Sequence, residues 1–406
     1  MEIKPFRGYR PRKDVVEKFV AKPYDVVSFV EAKETIKSNP LSFLRVTRVE
    51  AETHEIEMDP TPEDMERARK NLEDFIEKGI LIQEEKEALY IYRQKMGDHI
   101  QTGLVALFPV EEYKKGHIKR HELTRKKKEE ERVQHILATR AHTGQVFLFY
   151  RSMEVLDRKL MELADSLEPI YRLTDDLDVV HEFFVVSDEK EIEEIKNLFK
   201  NIENLYIADG HHRAAAAARV SDILDREVGK GPHNYFMATV FPHNHLRIFD
   251  YNRVVRSHLT VEKLLEEVSK KFDIYRSYVV PARPSREHEI AMYVGNGKWY
   301  VLIPREIPEG VVESLDVNIL QRELLEPVFG ISNPREDERI DFIGGIKGLC
   351  ELERIVDKGE FDVAFALYPV NIETLMRVSD EGKTMPPKST WFEPKLLSGL
   401  VVHVFG

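Results

Sequence analysis

Cysteine is almost missing from this chain: Cys350 is the single one in 406 residues, so no internal disulfide framework and no cysteine-based zinc site can form. No apolar run approaches the roughly 18 residues that a membrane span needs, so no span is expected. The opening Met1-Glu-Ile-Lys-Pro-Phe-Arg7 lacks an apolar core, so no secretory peptide is expected there, and the scarcity of cysteine suits a reducing cytoplasm. A surplus of positive charge is absent as well. The formal net charge of −12 argues against general affinity for nucleic acid or for an anionic membrane, either of which favours a basic face. Gln is sparse while Glu and Lys are abundant, a composition that leans towards a thermophilic source. Internal repeats and low-complexity linkers are also wanting.

What is present is enough apolar residue, 42% of the chain, to build sizeable cores, and a length that exceeds what one core usually serves. Two domains are therefore expected, residues 1–257 and 258–406. Strand and helix patterns alternate. Met65, Ala68, Leu72 and Phe75 recur at helical spacing in a helix from Pro62 to Lys78. Tyr90–Arg93, Thr102–Phe108 and Gln145–Tyr150 read as strands, and a charged helix spans about Arg125–Arg140. Val179–Val186, Ile192–Phe199 and Leu205–Ala208 read as strand, helix, strand, which implies a partly parallel or mixed sheet. A helix from Leu259, strands at Ala291–Val294 and Trp299–Ile303, and a helix over Asp316–Phe329 follow. The fold class is thus α/β with mixed sheets in both domains.

The densest chemistry lies at Asp209-Gly-His-His-Arg213, between an apolar strand and an alanine-rich helix. A strand that delivers Gly210 to a helix start presents amide groups and the positive end of the helix dipole, a ready anion site. Arg213 adds a planar fork for phosphate oxygens. His211 and His212 exchange protons near neutral pH, and Asp209 can hold magnesium or orient a hydroxyl. A plain turn in which Asp209 caps the helix is the bland alternative, and it explains neither the histidines nor the arginine. Zinc is disfavoured, because adjacent histidines do not share a helical face and no partners stand at finger spacing.

This motif resembles the nucleotide-binding signature of the ParB and sulfiredoxin superfamily, most closely that of the free-serine kinases within it. ParB proteins carry Gly-Glu-Arg-Arg or Gly-Glu-His-Arg, where this chain has His211 in place of the glutamate. Sulfiredoxins place a cysteine there, and Cys350 is far away in sequence. Over its whole length the chain also resembles a prokaryotic family catalogued as domain of unknown function 1015, through Ala21–Val26, His121-Glu-Leu-Thr124, Ile207–Arg213 and Met385–Lys395. The resemblance implies a ParB/sulfiredoxin-like core in the first domain, ATP or ADP with Mg²⁺ as cofactors, free L-serine as acceptor and O-phosphoserine as product. It also implies a glutamate base upstream of the turn. Glu122 is the choice here, with Glu182 as its rival.

A second constellation occupies Met385–Lys395. Lys388, Ser389, Thr390 and Lys395 gather cations and hydroxyls in a loop stiffened by Pro386, Pro387 and Pro394, which suits a phosphate clamp as well as a proline-stiffened surface loop. Thr124 is expected to cap the helix that follows it. The run Arg125–Arg132 reads as a solvated helix face with charge pairs at four-residue spacing. Gly344-Gly-Ile-Lys-Gly348 offers a weaker phosphate cradle that is not a Walker loop. His243 and His245 are a weak metal pair, and Arg45 is a candidate partner for a substrate carboxylate.

Three function classes compete. A nucleotide-dependent small-molecule kinase uses every strong feature. A ParB-like nucleotide switch would need a DNA-reading or clamp-forming segment, and no basic helix-turn-helix is found. A phosphatase acting on a small phosphorylated metabolite needs the same cradle, with His211 or His212 as nucleophile or acid. In the kinase reading, Asp209, Glu122 and His211 are catalytic. Gly210, His211, His212, Arg213, Lys388, Ser389, Thr390 and Lys395 hold nucleotide, and Asp209 holds the metal. The partner is a small hydroxyl metabolite, with no nucleic acid and no membrane, and a homodimer is left open.

Overall fold

A computed structural model describes residues 1–406. The chain divides into two compact units, one made of Met1–Lys119, Thr124–Leu246 and Pro394–Gly406, the other of Arg120–Leu123 and Arg247–Glu393. Both are mixed α/β. No helix is long and apolar enough to cross a membrane.

The first unit is built on an eight-stranded mixed sheet. Its strands lie in the order Ile118–Lys119, Leu205–Asp209, Val146–Tyr150, Tyr235–Pro242, His99–Pro109, Leu89–Met96, Val180–Val186 and Tyr171–Thr174. Leu89–Met96 and His99–Pro109 form a hairpin paired from Tyr90 with Val105 to Met96 with His99, turned by Gly97 at φ 58°, a value glycine adopts without strain. The expected strand, helix, strand segment between Val179 and Ala208 forms, but its two strands are separated by four others. The sheet is mixed because Leu205–Asp209 runs parallel to Ile118–Lys119 and antiparallel to Val146–Tyr150. The helix Pro62–Glu77 starts on a capping box in which the Thr61 and Asp64 side chains exchange hydrogen bonds with each other's backbone. It buries Met65, Ala68, Leu72 and Phe75, the stripe read from the sequence.

Two local expectations change. Thr124 does not cap the helix Lys126–Thr139; Arg125 is the N-cap, with no side-chain cap bond, and the Thr124 hydroxyl donates to Glu129 Oε2 at 2.6 Å. The charge run before it is not wholly solvated, because Arg132 is only 7% exposed. It shares the inward stripe with His135, Ile136 and Thr139, at the 3–4 residue spacing of one helical face.

The second unit carries a six-stranded sheet in the order Phe272–Arg276, Trp299–Pro304, Ile290–Tyr293, Val363–Leu367, Tyr251–Val255 and Ile340–Gly344, antiparallel at every pairing. A division at 257/258 would put Tyr251–Val255 in the first unit. That strand is instead hydrogen-bonded on both sides within the second unit's sheet, and the chain divides at Leu246/Arg247. Lys395 likewise falls in the first unit, because the tail Pro394–Gly406 returns to it: His403–Val404 pairs with Ala141–His142 and Val402 with Tyr9.

Candidate functional site

The strand Leu205–Asp209 is apolar and covered on both faces, with Leu205 and Ile207 fully buried and Tyr206 stacked on Phe149. Its register against Val146–Tyr150 shifts between Ile207 and Asp209, an irregularity of the kind that re-aims a strand's last residue. Gly210 then takes φ 95° and ψ 30° as the N-cap of the helix His211–Val228, a backbone that a side chain would strain. Gly210 brings no side chain to cap this helix. Asp209 is therefore not the N-cap residue, and its carboxylate takes the Gly210 amide at the helix start instead.

Around this turn one carboxylate faces two cations. Asp209 Oδ2 lies 3.5 Å from Arg213 Nη2 and 3.8 Å from Lys395 Nζ. Burial by itself would raise the Asp209 carboxyl. The charges of Lys395, Arg213 and His211, with the Gly210 amide, more than reverse that and hold it well below the usual carboxylate range. Burial works against Arg213's charge too, yet Asp209, Asp25 and Tyr24 keep its pKa above the ordinary value. Arg213 Nη1 donates to the Gln145 carbonyl, while its Nε is buried without a partner. An unsatisfied N–H on a charged group is costly to bury, so a ligand oxygen is the natural partner for that position.

The structure brings Asp209, Gly210, His211, His212, Arg213 and Lys395 together in the first unit. His212 has a task of its own: its Nε2 accepts the Arg125 amide at 3.0 Å, tying the start of one helix to another. Burial lowers its pKa, which suits an acceptor nitrogen. Lys395 is anchored through its carbonyl, which accepts Gln94 Nε2 at 2.8 Å. Sequence reading missed Gln145, whose carbonyl positions Arg213 and whose side chain takes the Thr239 hydroxyl and donates to Leu397 O. It also missed Arg132, whose helical spacing to Ile136 and Thr139 was a usable signal.

Glu182 lies on the strand Val180–Val186 and binds Arg93 Nε at 2.7 Å, with Lys95 at 3.5 Å. Neighbouring His181 points to the opposite sheet face, where its Nδ1 meets Tyr92 Oη at 2.7 Å. Glu182 is thus held in a charge network with no link to the turn. Arg45 is likewise committed, with Nη2 3.1 Å from Glu52 Oε1 and 3.0 Å from Asn71 Oδ1.

The other expected residues gather in the second unit. His121 Nε2 lies 3.2 Å from Thr390 Oγ1, and the His121 carbonyl accepts the Met385 amide, which brings Glu122 to the same segment as the proline loop. Ser389 is buried and donates to Pro386 O at 2.6 Å. Lys388 adopts φ 59° with its ammonium 5.6 Å from the Tyr251 ring centroid. Buried Arg253 holds the loop by donating to Pro387 O, and burial lowers its pKa to about 10. The glycines at 344 and 345 serve close packing. A Cβ on Gly345 would collide with the Asp250 carboxylate and one on Gly344 with the Trp391 ring. His243 and His245 each face a backbone amide, of Ser152 and Thr102.

Solved structures resemble the chain over about three quarters of its length at low identity. A conserved hypothetical protein from Pyrococcus furiosus shares 13% identity, covering 73% of this chain and 95% of its own, with a TM-score of 0.36. A free serine kinase in complex with AMP shares 15%, covering 73% and 92%, with a TM-score of 0.38. SbnI from Staphylococcus aureus, with a C-terminal truncation, shares 13%, covering 72% and 85%, with a TM-score of 0.37. No curated protein matches. The family pattern described as "Protein of unknown function (DUF1015)" matches residues 3–318, more than half of the chain, and the protein belongs to that family.

Proposed function

We propose that the protein is a small-molecule phosphotransferase, a kinase that moves the terminal phosphoryl group of ATP or ADP to the hydroxyl of free L-serine. The observation that carries this reading is the Asp209–Arg213 turn. It combines a helix start on Gly210, two cations gathered on Asp209 and an Arg213 Nε without a partner. Phosphoryl transfer asks a protein chiefly for positioning and charge stabilisation, which such a cradle supplies. The bond from the bridging oxygen to the terminal phosphorus breaks, a bond from the serine oxygen to phosphorus forms, and the serine proton passes to a base. The acceptor is named by the motif's resemblance to free-serine kinases.

Magnesium fits as a companion of the nucleotide. It is usually held by one or two carboxylates together with substrate phosphates, and Asp209 offers one ionised carboxylate beside two cations suited to phosphate oxygens. The ion would neutralise phosphate charge. On the motifs, Glu122 is proposed as the base, His211 and His212 as phosphate contacts and Lys388, Ser389 and Thr390 as further charge and hydroxyl donors.

The test is to incubate the protein with Mg²⁺, L-serine and either ATP or ADP and to follow phosphorus NMR, with Arg213→Ala alongside. Phosphoserine formed by the parent and not by the variant supports the reading. Nucleotide binding lost in the variant without any phosphoserine replaces it with a nucleotide switch, and turnover unaffected by the variant overturns it.

A further inference from the structure

Arg132 is a charged group without a counter-charge. It is 7% exposed, its Nε is buried without a partner, and no carboxylate lies within ion-pair distance. Its guanidinium carbon stacks 4.0 Å from the Tyr24 ring centroid, a contact over the ring face that leaves the in-plane N–H fork for a ligand. Beside it is a cavity of about 30 Å³ lined by Tyr24, Arg132, Thr143, Gly144, Arg213 and Ser398 among others. No Asp or Glu is in that lining. Arg213, already answered by Asp209, lines the same small space, so Arg132 is the cation there whose charge an entering anion would answer.

We propose that this cavity is a carboxylate subsite, which takes the α-carboxylate of the amino-acid acceptor through Arg132, with the Arg213 guanidinium at its wall. The subsite rests on the kinase reading only for the identity of the molecule that brings the carboxylate. Size selects the group: at roughly 10–15 Å³ for each water-sized position, the space holds about two, as many as a carboxylate has oxygens. A nucleotide does not fit. The hydroxyls of Thr143 and Ser398 add neutral donors at the wall. The Tyr24 phenol stays protonated because burial pushes its pKa up to about 12 against the opposing charge of Arg132. Gly144 keeps the space open. A Cβ there would stand 3.6 Å from Arg213 Nη1 and 3.7 Å from Ser398 Oγ, ordinary contact distances that let Gly144→Ala fold while taking up room.

Calorimetry of L-serine against L-serinamide, which lacks the carboxylate, tests this with the parent, Arg132→Met and Gly144→Ala. The parent is expected to prefer L-serine by about 10- to 100-fold, the range for hydrogen bonds to a charged group. Both variants should lose that preference while keeping nucleotide affinity. Glycolate serves as a second probe that does not depend on kinase activity. Glycolate bound by the parent and lost in both variants, with no serine bound or phosphorylated, upholds the subsite and removes the acceptor assignment. A parent that binds glycolate no better than Arg132→Met, or variants that keep the preference for L-serine over L-serinamide, overturns the subsite.

Discussion

Gly210→Ala separates the geometry of the turn from its composition. The residue sits at φ 95°, where a side chain costs about 1–3 kcal/mol. Its Cβ would also lie 3.0 Å from Arg213 Nε and 3.1 Å from Arg213 Cζ and Nη2, so the guanidinium must give way by a few tenths of an ångström. Gly229, at the other end of the same helix, has φ 76° and nothing within 4 Å of a built Cβ. Gly229→Ala, with ψ −169° in a region almost reserved for glycine, therefore carries backbone strain at least as large without touching the turn. Both variants should lower the melting temperature by about 2–12 °C, taking roughly 2–4 °C per kcal/mol for a domain of this size. Only Gly210→Ala should weaken ATP or ADP, by about 10- to 100-fold, since a displaced fork forfeits a charge-assisted hydrogen bond. Differential scanning calorimetry and nucleotide titration read the two effects separately. Equal nucleotide affinity in the two variants would falsify the idea that the glycine exists to let Arg213 reach phosphate.

The first unit should be acid-labile, because burial lowers His135 and His142 to about 3 and His403 to about 4. With folded pKa values below the unfolded value near 6.5, their contribution is complete above about pH 6.5 and is lost as pH falls towards 3–4. Urea titrations between pH 7 and 4 should show a loss on the order of a few kcal/mol, and a flat profile would contradict it. Arg45→Ala should cost about 1–3 kcal/mol by leaving Glu52 and Asn71 without their shared partner. Its L-serine affinity should stay at the parent level, and a fall there would restore Arg45 as the partner of a substrate carboxylate. Glu122→Gln, on the kinase reading, should bind nucleotide normally and lose at least about 100-fold in kcat; unchanged turnover moves the base elsewhere.

Legibility followed sequence distance. The turn at 209–213 could be read because strand, glycine and alanine helix are consecutive, and the start of Pro62–Glu77 because Thr61 and Asp64 signal each other three residues apart. Sheet order was hidden: nothing near Val186 or Leu205 announces that four strands separate the two. The return of Pro394–Gly406 to the first unit rests on pairings such as His403 with His142, hundreds of residues apart, which no local pattern encodes. Arg132 was masked by its neighbours. Six charged residues precede it in Lys126–Glu131, and a run of charge reads as solvent unless the apolar stripe through Val133 and Ile136 is given priority.

The same masking explains how an acidic protein can present a cationic site. Net charge sums every exposed Glu and Asp, and at physiological salt those more than about 8 Å away are largely screened. Near the turn the relevant groups are few: Arg213, Lys395 and Arg132 against the carboxylates of Asp209 and Asp25. Of the histidines, His211 adds to the positive field at Asp209, while burial keeps His135 and His142 neutral at physiological pH, the nearby Arg132 reinforcing it for His135 and His403 for His142. Neutral rings are what allow two guanidinium groups to share so small a space. Had either imidazole been protonated, a further cation would oppose both arginines at low dielectric. On the proposed reading, selectivity for an anion is set by the balance of a few buried groups, and the formal charge of −12 describes the surface that surrounds them.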